Sequence, residues 1–148
     1  MTLVQERTST SHSAAIKEAV AAFNRGDLDG ASAPYAEDAE TSDPTGVYTG
    51  KAQILASIKV WHTAFPDAKG DVTNQVSEGD QVVTEVIYRG TQTGPLAGKM
   101  GTIPATGKKA EVRYAFVSSF RGGKIQRERA YFDLFGLMQQ LGNPQPKV

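Results

Sequence analysis

At Pro66-Asp67 the spacing of apolar residues changes, and that change limits the folds open to this chain. Ahead of it the apolar residues recur at helical spacing. Ala15, Ile16, Ala19, Val20, Ala22 and Phe23 do so in SAAIKEAVAAFNRGD, and Ile54, Ile58, Trp61 and Phe65 in KAQILASIKVWHTAF. Behind it they alternate. DVTNQVSEG, DQVVTEVIYRGTQTG, KKAEVRYAFVSSFRGG and KIQRERAYFD read as strands, with Ser77-Glu78-Gly79-Asp80 and Arg121-Gly122-Gly123-Lys124 as hairpin turns. Helices followed by antiparallel strands predict an α+β fold, a curved sheet with helices packed on one face. A sheet bent around a helix leaves a cone open at one end, and such mouths hold small ligands.

The punctuation refines this outline. Ser11 or Ser13 is expected to cap the first helix, and Gly26 to end it. A second short helix is expected from Leu28 to Tyr35, broken near Pro34, then an extended piece from Glu40 to Asp43 limited by Pro44. LFGLMQQLG reads as a last helix closed by Gly142. Residues 1–12 are expected to be a loose lead-in containing His12, 13–142 a single domain, and 143–148 a loose tail. PLAGKMGTIPATG carries too much Gly and Pro for a central strand; it reads as a lid with Leu96, Met100 and Ile103 as its apolar contacts.

Composition excludes several function classes. Lys plus Arg and Asp plus Glu number 16 each among 148 residues, so no nucleic-acid footprint is expected. No apolar run reaches the ~18 residues of a membrane span, and the first residues lack the apolar core of a signal peptide. The chain has no cysteine, in keeping with a reducing cytoplasm, and only two histidines, so no metal site is expected.

The candidate chemistry centres on carboxyl groups. Asp43 precedes Pro44, which holds it extended. Facing an apolar cone it would be desolvated and become a better base; alternatively it caps the Asp-Pro-Thr-Gly turn. Gln126, Glu128, Ala130 and Phe132 point one way along the last strand, and Ile125, Arg127, Arg129 and Tyr131 the other. That strand carries charge on both faces. Glu128 is therefore either a second acid/base inside the cone or a surface ion pair with Arg113 or Arg127. Val112, Tyr114, Phe116, Ser118 and Phe120 form one face of the neighbouring strand. Tyr114 there is a donor for an enolate oxygen or a core residue, and Tyr88, beside Val82, Thr84 and Val86, has the same two readings. His62 is a proton shuttle or a helix-end histidine.

The motifs FNRGDLDG, YAEDAETSDPTGVYTGKAQI, AFPD, EGDQVVTEVIYRGTQTG, PATGKKAEV and GGKIQRERAYFDLFGLMQQLG together resemble the NTF2-like superfamily, in its SnoaL-like polyketide cyclase and ester cyclase branch. The resemblance runs from about Ser13 to Gly142 and implies the NTF2-like cone. The first half also resembles ketosteroid isomerases, in which the aspartate matching Asp43 is the general base. The partners of that base fall near Ala19 and Phe116, which donate no hydrogen bond. The essential aspartate of the cyclases and limonene epoxide hydrolases matches Ala130, and another polar pair falls near Val86 and Tyr88.

The resemblance and the faces together give Thr41, Trp61, Phe65, Val86, Tyr88, Met100, Phe116, Ser118, Ala130 and Phe132 as the expected substrate contacts, with Asp43, Glu128, His62 and Tyr114 as acid/base groups. They imply a cofactor-free enzyme acting on a small hydrophobic carbonyl compound by aldol-type cyclisation or isomerisation. A non-catalytic binding module or dimeric scaffold is the competing reading. A homodimer is expected by resemblance, through the outer sheet face that carries Val83, Ile87, Ala115 and Val117.

Overall fold

The computed structural model describes residues 3–148, with side chains from residue 11 onward. Two helices, α1 (Leu3–Asn24) and α2 (Leu28–Ser32), lead into β1 (Tyr35–Asp43) and β2 (Gly46–Thr49). Helix α3 (Lys51–Ala64) follows, then β3 (Lys69–Glu78) and β4 (Gln81–Thr91). A small hairpin, β5 (Leu96–Gly98) and β6 (Gly101–Ile103), precedes β7 (Lys109–Arg121), β8 (Lys124–Phe132) and α4 (Leu134–Gln140). The six other strands form one sheet in the order β2-β1-β8-β7-β4-β3. Within it β1 and β8 pair in parallel, and the other neighbours are antiparallel. This mixed, curved sheet with helices on one face is the expected α+β cone.

Alternation sets which face of each strand turns inward. Along β4, Val82, Thr84 and Val86 are buried, and along β7 Phe116, Ser118 and Phe120 are. Two apolar clusters result. One joins Ile16 and Val20 of α1 to Val82, Val86, Phe116, Phe120, Ile125 and Ala130. The other joins Ala64, Phe65 and Ala68 to Leu96, Ile103, Ala110, Leu137 and Leu141. Residues of both clusters border the cavity of the candidate site.

Three expectations are corrected. Helix α1 starts at Leu3, ahead of the proposed caps. Ser13 instead bonds Ser77 Oγ at 2.9 Å, and His12 is buried with its ring stacked 4.0 Å from Phe120, so the end of the expected lead-in packs on the sheet, while Met1 and Thr2 lie outside the described residues. At the other end, Lys147 exchanges two backbone hydrogen bonds of 2.8 Å with Thr102, which ties down the tail. In the hairpin, Leu96 and Ile103 are buried in the second cluster, but Met100 is 84% exposed at the tip and makes no part of the site. No helix among the described residues is long and apolar enough to cross a membrane.

Candidate active site

Among the described residues, Glu128 is the one carboxyl group that the fold carries into the cone wall. Strict alternation would set Ile125 and Glu128 on opposite faces. The pairing of β7 with β8 slips by one residue: Phe120 faces Ile125 while Ser119 faces Arg127. The extra residue is a β-bulge, and it turns both Ile125 (1% exposed) and Glu128 (8% exposed) inward. The sequence trace of this bulge is Ile125, an apolar residue that strict alternation puts on the same face as Arg127 and Arg129.

Both carboxyl oxygens of Glu128 accept hydroxyl protons. Tyr35 donates to Oε1 at 2.8 Å and Ser118 to Oε2 at 2.9 Å. The ion pair with Arg113 or Arg127 does not form; Arg127 reaches instead toward Glu40, at 3.8 Å, on the outer surface. Burial raises the Glu128 pKa to about 7, and the Tyr35 and Ser118 hydrogen bonds oppose that rise by favouring the ionised form. The phenols of Tyr35, Tyr88 and Tyr114 are held above their ordinary range, by burial first and by the Glu128 charge next.

A cavity of about 220 Å³ opens beside Glu128. Of the expected contacts, Trp61, Phe65, Tyr88, Phe116 and Phe132 line it, as does Tyr114 of the expected acid/base groups. Their rings lock one another: Tyr88 meets Tyr114 edge-on at 5.8 Å, Trp61 meets Phe132 at 6.0 Å, and Tyr114 stacks on Phe132 at 5.3 Å. Gly70 makes this arrangement possible, because a Cβ there would sit 2.6 Å from the Tyr88 ring. The hydroxyls of Tyr88 and Tyr114 make no hydrogen bond among the described residues, whereas that of Tyr35 is committed to Glu128. Arg89 stands at the rim, paired with Glu111 at 2.8 Å.

The remaining candidates fall elsewhere. Asp43 accepts the Thr45 amide at 2.7 Å and the Thr45 hydroxyl at 2.5 Å, so it caps its own turn and does not line the cavity. Thr45 is bonded in turn to the Tyr48 hydroxyl at 2.6 Å. His62 sets its ring edge-on against Phe23, 6.0 Å away, outside the cavity wall. Val86 and Ala130 are core residues behind the wall, and Ser118 acts through Glu128. Thr41 is half-buried beside Glu128 in the parallel pairing, again outside the wall. Sequence reasoning missed Tyr35, which it assigned to a helix end; its position directly after Pro34, where a helix cannot continue, was the available signal.

A curved mixed sheet closed by helices over a small apolar cavity with one carboxyl group defines an NTF2-like cone. The profile of the SnoaL-like polyketide cyclases matches residues 14–141, and the chain belongs to that family. The membership supports a general cyclase or isomerase role. Among solved structures, IdmH from Streptomyces antibioticus, a candidate polyketide cyclase, is 28% identical with a TM-score of 0.73, covering 88% of this chain and 98% of that one. A candidate SnoaL-like polyketide cyclase from Jannaschia sp. CCS1 is 20% identical with a TM-score of 0.80, over 98% of both chains. AclR from Streptomyces galilaeus, a candidate hydroxylase, is 24% identical with a TM-score of 0.78, over 95% of this chain and 85% of that one. The last two likenesses speak to the fold alone. No curated protein matches the sequence.

Proposed function

We propose that this chain is a small-molecule enzyme in which Glu128 carries protons, catalysing an aldol-type cyclisation or a double-bond isomerisation of a small hydrophobic carbonyl compound of polyketide type. One observation carries the reading: a carboxyl group with a pKa of about 7 faces an otherwise apolar cavity. Such a group is half ionised near neutrality, which suits a base that must also return its proton. The carboxylate takes a proton from the carbon beside a carbonyl, and the C–H electron pair passes into the enolate. The proton then returns to another carbon in an isomerisation, or to the alkoxide formed when the enolate attacks a second carbonyl. Glu128 ends as it began, and the step consumes no oxidant or reductant.

On this reading the base role assigned to Asp43 passes to Glu128. Glu128 stands two residues before Ala130, on the same inward face of β8, so the strand still carries a carboxyl group to the cavity although position 130 is alanine. The competing reading, a binding module without turnover, draws on Ala130 itself. The working unit is proposed to be a homodimer through the outer sheet face, where Val76, Val83 and Tyr131 are exposed.

Deuterium uptake from D2O at the carbon beside the carbonyl of small cyclic ketones tests the reading by NMR. The native chain is expected to speed uptake, and Glu128→Gln to reduce the gain by about 10²-fold or more. Equal uptake with and without the native chain would leave the binding module as the reading to keep.

A further inference from the structure

The cavity itself limits what can occupy it. An apolar cavity of about 150 Å³ holds one benzene, so in proportion the about 220 Å³ here holds roughly nine non-hydrogen atoms. That is one substituted ring or two fused rings; a three-ring skeleton needs roughly half as much space again. The walls cannot yield cheaply, because close-packed interiors resist expansion. Tyr88, Tyr114, Phe116, Trp61 and Phe132 are braced ring against ring at 5.3–6.0 Å.

The polar groups add a second condition. Glu128 has both oxygens occupied by Tyr35 and Ser118, and Arg89 at the rim is already paired with Glu111. Arg89, the one cationic side chain among the described wall residues, is 57% exposed and engages Glu111 through Nε, so an anionic ligand held deep in the cavity would face the Glu128 carboxylate instead. Tyr88 and Tyr114 line the cavity with hydroxyls that have no partner among the described residues. Phenols in an apolar wall ordinarily find an acceptor, and here a ligand carbonyl can supply it in place of cavity water.

We infer that the site takes a compact, uncharged carbonyl compound of one ring or two fused rings, whose oxygen accepts from the Tyr88 and Tyr114 hydroxyls. A ligand of three or more fused rings would have to leave part of its skeleton outside the mouth and is expected to bind less tightly. The inference rests on the acid/base reading only for the fate of the bound ligand; size and oxygen recognition stand without turnover.

Trp61, the chain's single tryptophan, lies in the wall, so its fluorescence reports occupancy. Titration with cyclohexanone, indanone, anthrone and the ring hydrocarbon indane tests the inference. Indanone is expected to bind saturably, at least tenfold tighter than anthrone, and tighter than indane. Tyr88→Phe and Tyr114→Phe should each weaken indanone severalfold and leave indane unchanged. Ala110→Phe, which fills the cavity, should abolish both.

Anthrone binding as tightly as indanone would overturn the size limit. An unchanged preference for indanone over indane in both tyrosine variants would overturn the oxygen assignment. Absence of saturable indanone binding to a folded chain would overturn the whole inference. If indanone binds as expected but Glu128→Gln leaves deuterium uptake unaltered, the acid/base reading fails and this one stands.

Discussion

The hydroxyl of Tyr35 donates to Oε1 of Glu128 at 2.8 Å, although 93 positions separate the two residues in the chain. The parallel pairing of β1 with β8 brings them together: Tyr35 lies opposite Ile125, and Thr41 opposite Glu128. This hydrogen bond favours the carboxylate and opposes the effect of burial.

Tyr35→Phe should therefore move the Glu128 pKa further up from about 7. A hydrogen bond to a charged group contributes about 1.5–3 kcal/mol, so the rise should be roughly one pH unit or more. The rising limb of the pH–rate profile, and a titration of the Glu128 carboxyl carbon by NMR, should both move alkaline. Rates well above the new midpoint should remain near those of the native chain. A lower plateau with an unmoved midpoint would mean that Tyr35 does something other than tune Glu128.

Glu128→Gln should change how stability depends on pH. The buried carboxyl keeps its proton up to about 7, whereas in the unfolded chain it releases it near ~4.3. Between these values the native state binds the extra proton, so the contribution of Glu128 is full below ~4.3 and is lost as pH rises through 7. The glutamine variant has no such loss. Relative to the native chain it should gain up to about 3 kcal/mol between pH 4 and pH 8, read by denaturant titration at each pH. A gap that stays constant with pH would mean that Glu128 ionises as it does in water.

Asp43→Asn should leave turnover within about threefold of the native rate. Asn keeps the Oδ1 acceptor for the Thr45 amide, and the group lies outside the cavity. Asp43→Ala removes the acceptor and should cost about 1 kcal/mol of stability, with the turn joining β1 to β2 loosened. Loss of turnover in a well-folded Asp43→Asn chain would restore Asp43 as the base.

The parts of the fold that depend on local pattern were legible in the sequence. Helical spacing located α3, and alternation gave the inward faces of β4 and β7, including Tyr88 and Tyr114. What depended on long-range pairing was not. The bulge that turns Ile125 and Glu128 to the same side appears in the sequence only as a strand with no clean face. The Tyr35–Glu128 contact requires β1 to pair in parallel with the last strand, and alternation within one segment carries no information about its neighbours. Asp43 shows the opposite difficulty. Its motif suggested a base, while the structure gives its Oδ1 to its own turn and leaves it off the cavity wall.

Gln92→Ala should loosen the hairpin that closes one end of the second cluster. Gln92 is fully buried, and its amide donates to the carbonyls of Gly94 at 3.2 Å, Ile103 at 3.5 Å and Pro104 at 3.2 Å. Its oxygen accepts from the Thr106 hydroxyl at 2.7 Å, so one side chain ties together both roots of the hairpin. Truncation leaves several enclosed polar groups without this partner and should cost about 2–3 kcal/mol. Hydrogen exchange should quicken across residues 94–106 while the amides shared by β4 and β7 stay protected. Leu96 and Ile103 pack in the cluster that bounds the cavity, so ligand affinity should fall as the hairpin frays. The pH midpoint set by Glu128 should not move, because its partners Tyr35 and Ser118 lie on β1 and β7, away from this segment. Unchanged exchange across 94–106 would mean that apolar packing of Leu96 and Ile103 alone holds the hairpin.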